Sequence, residues 1–402
     1  MPNKNFTLTG FGSVAVHGGH EQDPRYAHQT PIYASSTYVF DSAEQGMRRF
    51  SGQEEGYIYS RWGNPTITEA EEKIAALETF GLAIEAKGIL HASGMAAIST
   101  LFLSTLKPGN KVLTHYSLYG GTDELLHKIL PQLGIEALIA DLRNLNSVED
   151  IIKANTSIKM MYLETPANPT VQCVAIEELA KIAKQHQLLV ACDNTFATPY
   201  LQQPFKYGVD FIVHSTTKFL NGHGTIIGGI LLGSDIDFMK TKATKTHRLL
   251  GGNSNAFDAF LLINGIKTLE VRMDRHSSNA LAVAQFLEKN DKVSKVNYVG
   301  LPSHPDYAIA QKQMRNGGGM LSFELKEGLQ GGIQFMDRLQ MCLRTVSLGT
   351  VDTLLSHPAS MTHYSVPKEQ REKYGITDGL IRMNVGIESI DDIIADLAQS
   401  LG

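Results

Sequence analysis

Cysteine is scarce: Cys173, Cys192 and Cys342 lie far apart in 402 residues and form no C-x-x-C pair. That spacing argues against a disulfide framework or a zinc knuckle and favours buried, inert thiols in a reducing cytoplasm. Long apolar runs are missing too, with no 18 consecutive apolar residues, and "MPNKNFTLTGFGSVAVHGG" lacks the basic-then-apolar plan of an export signal. The expectation is a cytoplasmic protein with no membrane partner. No long run of one charge sign occurs, and 36 Lys plus Arg against 41 Asp plus Glu leave a formal net charge of -5, which gives nucleic acid nothing to bind. The 14 histidines contain no HExxH or H-x3-H spacing, so no metal is expected; His214, His223, His357 and His363 are read as satisfying local hydrogen bonds. "GFGSVA" at 10–15 matches a dinucleotide-binding pattern, but no strand precedes it, and it reads as loop punctuation. The single tryptophan, Trp62, either lines an entrance or packs in the N-terminal segment.

What is present is a globular composition, 43% hydrophobic and 19% charged, in a chain long enough for two or three domains. From about 64 to 232, β-rich runs ("KVLTH", "IEALIAD", "IKMMYLE", "LLVACDN", "VDFIVHS", "TIIGGILLG") alternate with amphipathic stretches such as "AIEELAKIAKQHQ". The alternation predicts an α/β fold whose mostly parallel sheet is flanked by helices, with ligands outside the carboxyl ends of its strands. Ahead of it, Thr66 and Glu69 fit a capping box for a helix carrying Ile67, Ala70, Ile74 and Leu77. Residues 1–63 lack sustained periodicity and read as an extended arm packed on another subunit. Residues 64–255 form the α/β domain and 256–402 a smaller α+β C-terminal domain, opened by one long helix from "AFDAFLLINGIKTLEV" onward.

Four places carry chemistry. "DFIVHSTTKFLNGHG" delivers Lys218 at the end of an apolar strand, behind Ser215, Thr216 and Thr217. Partial burial would lower the amine pKa and suit Schiff-base formation, although strand-end lysines are commonly solvated. One crossover earlier, Asp193 ends the strand of "LLVACDNTFATP" and either caps the next turn or meets a cation such as a pyridinium nitrogen. Ser93, Gly94 and Met95 open an apolar helix whose free N–H groups suit a phosphate. Tyr119, ahead of Gly120 and Gly121, offers an aromatic face or simply fills a core. One ligand accounts for all four: pyridoxal 5'-phosphate, with its aldehyde, ring nitrogen, π-face and phosphate.

The order of "YIYSRWGNPT", "SGMAAI", "LYGGT", "ETPANPT", "DNTFATP", "HSTTKFLNGHG", "SLGTVDTLLSHPASMTH" and "LIRMNVGIE" resembles, over nearly the whole chain, the Cys/Met-metabolism enzymes of fold-type I. This resemblance implies that Lys218 is the Schiff-base lysine, that Asp193 pairs with the pyridine nitrogen and that Tyr119 stacks on the ring. It also implies that Gly94, Met95, Ser215 and Thr217 hold the phosphate. Tyr59 and Arg61 would reach the phosphate of a neighbouring subunit, which implies a homo-oligomer with shared active sites, a dimer of dimers. Arg382, helped by Ser347 and Asn168, would clamp a substrate α-carboxylate, a task a planar guanidinium performs bidentately; otherwise Arg382 sits in a structural salt bridge.

The implied reaction begins as the substrate amine displaces Lys218, which then shuttles protons until the γ-substituent leaves, with Tyr119 as its general acid. Within the family, members acting on cystathionine often place an acidic residue before the serine matching Ser347, whereas Val346 stands here, as in methionine γ-lyases. An apolar neighbour suits a thioether methyl better than a distant ammonium. Those lyases carry cysteine where this chain has Gly121, and glycine would leave room for a longer tail. The expectation is therefore α,γ-elimination of L-methionine to methanethiol, 2-oxobutyrate and ammonia. The alternatives are cystathionine γ-lyase, or γ-replacement as in cystathionine γ-synthase and O-acetylhomoserine sulfhydrylase. A cofactor-binding regulator without turnover is a third class, which an attached DNA-binding segment or loss of Lys218 or Arg382 would favour; none is seen.

Overall fold

The computed structural model describes residues 7–20, 23–364, 367–373 and 375–402. The first residues of the expected arm, and Ser365, Val366 and Tyr374 of the segment after His357, lie outside the described residues.

Seven strands form the larger sheet: β1 (Lys87–His91), β2 (Lys111–His115), β3 (Glu136–Ala140), β4 (Ile158–Glu164), β5 (Leu189–Asp193), β6 (Phe211–His214) and β7 (Gly229–Gly233). Their order is β1-β7-β6-β5-β4-β2-β3, with β7 antiparallel to both neighbours and the rest parallel. Helices cover both faces, so the central strands are apolar on both sides: Met160, Met161, Tyr162 and Leu163 of β4 are all fully buried. This is the mostly parallel sheet expected, with β1 in addition. The last strand, β7, begins at Gly229, which passes the start of helix Gly94–Thr105. A Cβ on Gly229 would stand 2.3 Å from the Ser93 carbonyl oxygen, so only glycine permits that approach.

A smaller sheet follows: β8 (Val293–Asn297), β9 (Met320–Leu325), β10 (Leu343–Arg344), β11 (Leu354–Ser356) and β12 (Leu380–Asn384), in the order β10-β11-β12-β9-β8. It is antiparallel except between β10 and β11. Leu321, Phe323, Ile381 and Met383 pack its buried face against helices Gly328–Arg338 and Ile390–Leu401.

Three local expectations change. Helix Pro65–Glu78 is capped by Asn64, whose Oδ1 accepts from the Thr66 N–H at 3.0 Å, because Pro65 occupies the first helical position. The supposed box residues instead tie down the arm: Thr66 Oγ1 donates to the Pro31 carbonyl at 2.7 Å, and Glu69 accepts from Thr30 Oγ1 at 2.7 Å. "GFGSVA" is no loop. It contributes to helix Phe11–His17, which buries Phe11, Val14 and Ala15 against the chain's own core, so part of the arm docks at home. Farther along, Tyr26, Val39, Met47 and Phe50 remain exposed.

The long helix is two, Ala256–Ile266 and Leu269–Glu288. The break follows from Gly265, which packs so tightly on the loop after Lys218 that a Cβ would stand 2.1 Å from the Asn221 carbonyl oxygen. Its own carbonyl is drawn to Arg272 Nη2 at 2.8 Å and to Thr268 Oγ1 at 3.1 Å. Arg272, 3% exposed, also donates to the carbonyls of Phe219 at 2.8 Å and Leu220 at 3.4 Å, pinning the two residues that follow Lys218. Burial lowers its pKa to about 10, which still leaves it charged at neutral pH. Replacing it strands several buried carbonyls at once. Arg272→Met is expected to lower the unfolding free energy by about 3 kcal/mol, measured by chemical denaturation of the cofactor-free protein.

Candidate active site

The parallel strands deliver their carboxyl ends to one edge, where β5 ends in Asp193 and β4 in Glu164, directly abreast. β6 ends at His214, and a turn closed by the Lys218 N–H on the Ser215 carbonyl at 3.2 Å presents the lysine beside them. Across the cleft, β12 of the smaller sheet supplies Arg382 and the loop between β10 and β11 supplies Ser347.

Lys218 Nζ donates to Ser347 Oγ at 2.8 Å, and no carboxylate among the described residues pairs with it. Burial, reinforced by the charge of Arg382, lowers its pKa from 10.5 to about 8, so neutral amine is accessible near physiological pH. Ser347 holds both cations: its carbonyl accepts from Arg382 Nη2 at 2.7 Å. It does so with a φ of +75°, a left-handed conformation that costs a non-glycine residue about 1–2 kcal/mol. Arg382 also donates to Asn168 Oδ1 at 3.3 Å and is 9% exposed. Burial lowers its pKa to about 10, and the nearby Tyr119 phenol partly offsets this. The salt-bridge alternative for Arg382 fails, since no Asp or Glu among the described residues lies within bonding distance of its guanidinium.

Asp193 accepts from the Thr195 N–H at 3.0 Å and the Tyr162 hydroxyl at 3.4 Å. Burial raises its pKa, and Glu164 beside it is raised by burial and by the charge of Asp193. No cation among the described residues pairs with Asp193. A cationic ring nitrogen suits this carboxylate, just as an anion suits Arg382. The edge thus has opposite charges waiting at opposite ends.

Ser93 caps helix Gly94–Thr105, its Oγ accepting from the Ala96 N–H at 3.1 Å. Gly94 faces Ser215 so closely that a Cβ would lie 3.0 Å from the serine Cβ, which sets the Ser215 side chain beside the start of the helix. This cradle fits a phosphate, the sheet edge fits a pyridinium ring, and Lys218 fits its aldehyde. Thr217 is committed within the chain, its hydroxyl donating to the Gly228 carbonyl at 3.2 Å and accepting the Gly228 N–H at 2.9 Å. Tyr119 precedes the short helix Gly120–Glu124 with its ring half exposed. The space a side chain at Gly121 would fill is already taken: its Cβ would stand 2.7 Å from Tyr119 Cε1 and 3.0 Å from Met95 Sδ. The side chains of Tyr119 and Met95 thus stand where the structure would otherwise be open beside Gly121. Val346 is exposed beside Ser347.

Tyr59 and Arg61 lie apart from these residues in their own chain. Arg61 Nη1 donates to the Arg248 carbonyl at 2.6 Å and its guanidinium stacks 5.6 Å from the Tyr59 ring centroid. Trp62 packs on Phe50 in the arm. The four histidines do find local partners: His214 on Glu78 at 2.5 Å, His223 on the Asn221 carbonyl at 2.7 Å, His357 on the Asp378 carbonyl at 2.7 Å and His363 on Thr362 at 2.9 Å. Sequence reasoning passed over Glu164, Tyr162 and Thr195. The argument that singled out Asp193, a carboxylate closing an apolar strand, applies equally to Glu164.

Comparison with known proteins agrees with this geometry. Residues 12–402 match the model of the Cys/Met metabolism PLP-dependent enzymes. The chain is 48% identical over 399 residues to an L-methionine gamma-lyase of Fusobacterium nucleatum subsp. nucleatum, covering 98% of each. It is 43% identical over 402 residues to the L-methionine gamma-lyase of Porphyromonas gingivalis, covering 100% of this chain and 99% of that one. Among solved structures, cystathionine gamma synthase from Xanthomonas oryzae pv. oryzae, in complex with aminoacrylate and cysteine, superposes with a TM-score of 0.91 at 35% identity over 98% of both chains. The chain belongs to the Cys/Met metabolism PLP-dependent enzymes of fold-type I, and its cofactor is pyridoxal 5'-phosphate.

Proposed function

We propose that this chain is a methionine γ-lyase, releasing methanethiol, 2-oxobutyrate and ammonia from L-methionine. The observation that carries the reading is the Lys218–Ser347–Arg382 bridge: a neutralisable amine and a carboxylate clamp, held side by side without a counter-ion among the described residues. The uncharged Val346 next to Ser347, with the Tyr119 ring and Met95 beside Gly121, supports a thioether methyl over a charged substrate tail. The methionine-lyase relatives support the same choice. Cystathionine cleavage and γ-replacement use the same residues and are the competing outcomes, with the Xanthomonas synthase as their structural counterpart.

When bound, pyridoxal phosphate supplies an aldehyde that captures the substrate amine and a ring that delocalises the electron pair left at Cα. Arg382 and Asn168 fix the substrate carboxylate, which aims the Cα proton toward Lys218. Lys218, displaced by the substrate amine and neutral at little cost, takes that proton and carries protons between Cα and Cβ. Ser347 limits the swing of Nζ between them. Tyr119 donates its phenolic proton to the departing methylthio group. Asp193 keeps negative charge at the ring-nitrogen end, and Ser93, Gly94, Met95 and Ser215 form the phosphate end, which the Thr217 hydroxyl would join by giving up its donation to the Gly228 carbonyl.

The proposal extends to assembly and place. The exposed Tyr26, Val39, Met47 and Phe50 support an arm, residues 1–63, that completes the site of a neighbouring copy, bringing Tyr59 and Arg61 to its phosphate in a dimer of dimers. The division at 64–255 and 256–402 follows the two sheets. Three buried, unpaired thiols suit a cytoplasmic location, and no helix among the described residues is long and apolar enough to cross a membrane.

The deciding assay offers the holoenzyme L-methionine, L-cystathionine, or O-acetyl-L-homoserine with sulfide, and follows 2-oxobutyrate, thiol and homocysteine. Methanethiol with keto acid from methionine is expected, and Lys218→Ala should abolish it. Homocysteine with little methionine cleavage would replace this reading by γ-replacement. Arg382→Lys, which keeps charge but loses the planar fork, is expected to raise KM for methionine ~10- to 100-fold with a smaller change in kcat. In the cofactor-free protein, trace acylation of Lys218 as a function of pH should show a midpoint near 8. Between about 8 and 10.5 the unfolded chain binds the proton that folded Lys218 lacks, so this group's contribution to stability rises with pH across that window.

A further inference from the structure

Glu164 is 5% exposed, yet it spends both carboxylate oxygens on backbone donors from two different segments. Oε2 accepts from the Tyr119 N–H at 2.7 Å and Oε1 from the Asn168 N–H at 3.0 Å. Each acceptance fixes a wall of the cleft. Tyr119 carries the half-exposed ring, while Asn168 Oδ1 meets Arg382 at 3.3 Å, and Arg382 is joined through Ser347 to Lys218. The carboxylate itself is rigid, being the last residue of β4 and level with Asp193. Any displacement of Glu164 therefore moves the tyrosine ring and the carboxylate clamp relative to the Asp193 end of the site.

We propose that Glu164 is a positioning residue that sets the slot between the Tyr119 ring and the sheet edge and, through Asn168, the placement of Arg382. It acts by accepting a main-chain hydrogen bond on each carboxyl oxygen. A carboxyl group is required because both segments present donors, and only an acceptor oxygen on each branch meets both. An amide has one acceptor oxygen, so its NH2 must face one of the two N–H groups. Aspartate keeps both acceptor oxygens but is one methylene short of spanning both. This inference rests on the roles proposed above for Tyr119 and Arg382.

The test compares wild type, Glu164→Gln and Glu164→Asp as holoenzymes. Three quantities are read: the visible circular dichroism of the bound cofactor, kcat and KM for whichever of the three substrates the wild type turns over best, and the melting temperature with and without cofactor. Glu164→Gln is expected to load cofactor through Lys218, to show an altered dichroic band as the Tyr119 ring shifts, and to lose ~10- to 100-fold in kcat/KM. Most of that loss should lie in kcat, with Glu164→Asp retaining more than the glutamine variant. Variants that load cofactor with wild-type dichroism, and keep kcat/KM within about twofold while only the melting temperature falls, would overturn the proposal and leave Glu164 a structural carboxylate. If Glu164→Gln does not fold, Glu164→Asp decides by the same readouts. Should the wild type cleave none of the substrates, the proposed activity falls, whereas the dichroism still decides the role of Glu164.

Discussion

Two cations, Arg382 buried and Lys218 partly buried, hold this site in its form. Lys218 and Arg382 hang on opposite atoms of one serine, the hydroxyl and the carbonyl of Ser347, and neither meets a carboxylate of the described chain. Sequestering two like charges is unfavourable, and protein interiors tolerate it only where other groups over-determine the geometry. Here the cost is visible as two depressed pKa values and a strained Ser347 backbone. The same cost is the source of reactivity. A lysine that sheds its proton easily is a nucleophile and a base, and an unneutralised guanidinium binds the first carboxylate that fits.

The fold supplies the over-determination from three directions. β6 and antiparallel β7 bring the lysine turn against the start of helix Gly94–Thr105, at a distance only Gly229 allows. Arg272 fastens the residues after Lys218 to the break between two helices. From the other side, Gly349 presses its turn onto the lysine so closely that a Cβ would stand 2.9 Å from Lys218 Cβ. The lysine is thus fixed by elements of both sheets, and its reach is confined to the side chain.

The sheet and its chemistry were legible in the chain because both depend on local patterns: apolar runs of strand length, polar punctuation at their carboxyl ends, and Lys218 and Asp193 closing two of them. Features decided by contacts distant in sequence were hidden. Thr66 and Glu69 fit a capping box, but Pro65 shifted the cap to Asn64, and their side chains were recruited by Pro31 and Thr30. The helical periodicity from Ala256 to Glu288 is continuous, and only the pull of Arg272 and Thr268 on the Gly265 carbonyl breaks it. Glu164 closes an apolar strand just as Asp193 does, so its place was legible but its role was not: its partners are backbone N–H groups, which leave no residue-type signature.

Gly121 shows how an absence in the sequence can mislead about space. A missing side chain invites the inference of a larger pocket, as it would if the neighbours stood still. Here Tyr119 and Met95 occupy the volume, and the aromatic ring leans over the position where a Cβ would be. The effect on specificity is then electrostatic: surroundings with an aromatic ring and a thioether but no carboxylate disfavour a tail bearing a second ammonium, which would lose water without gaining a counter-ion. Val346, with no charge to offer, adds to that penalty. Selection for a short thioether thus needs no contact dedicated to the methyl group, because discrimination arises from what the cleft declines to solvate.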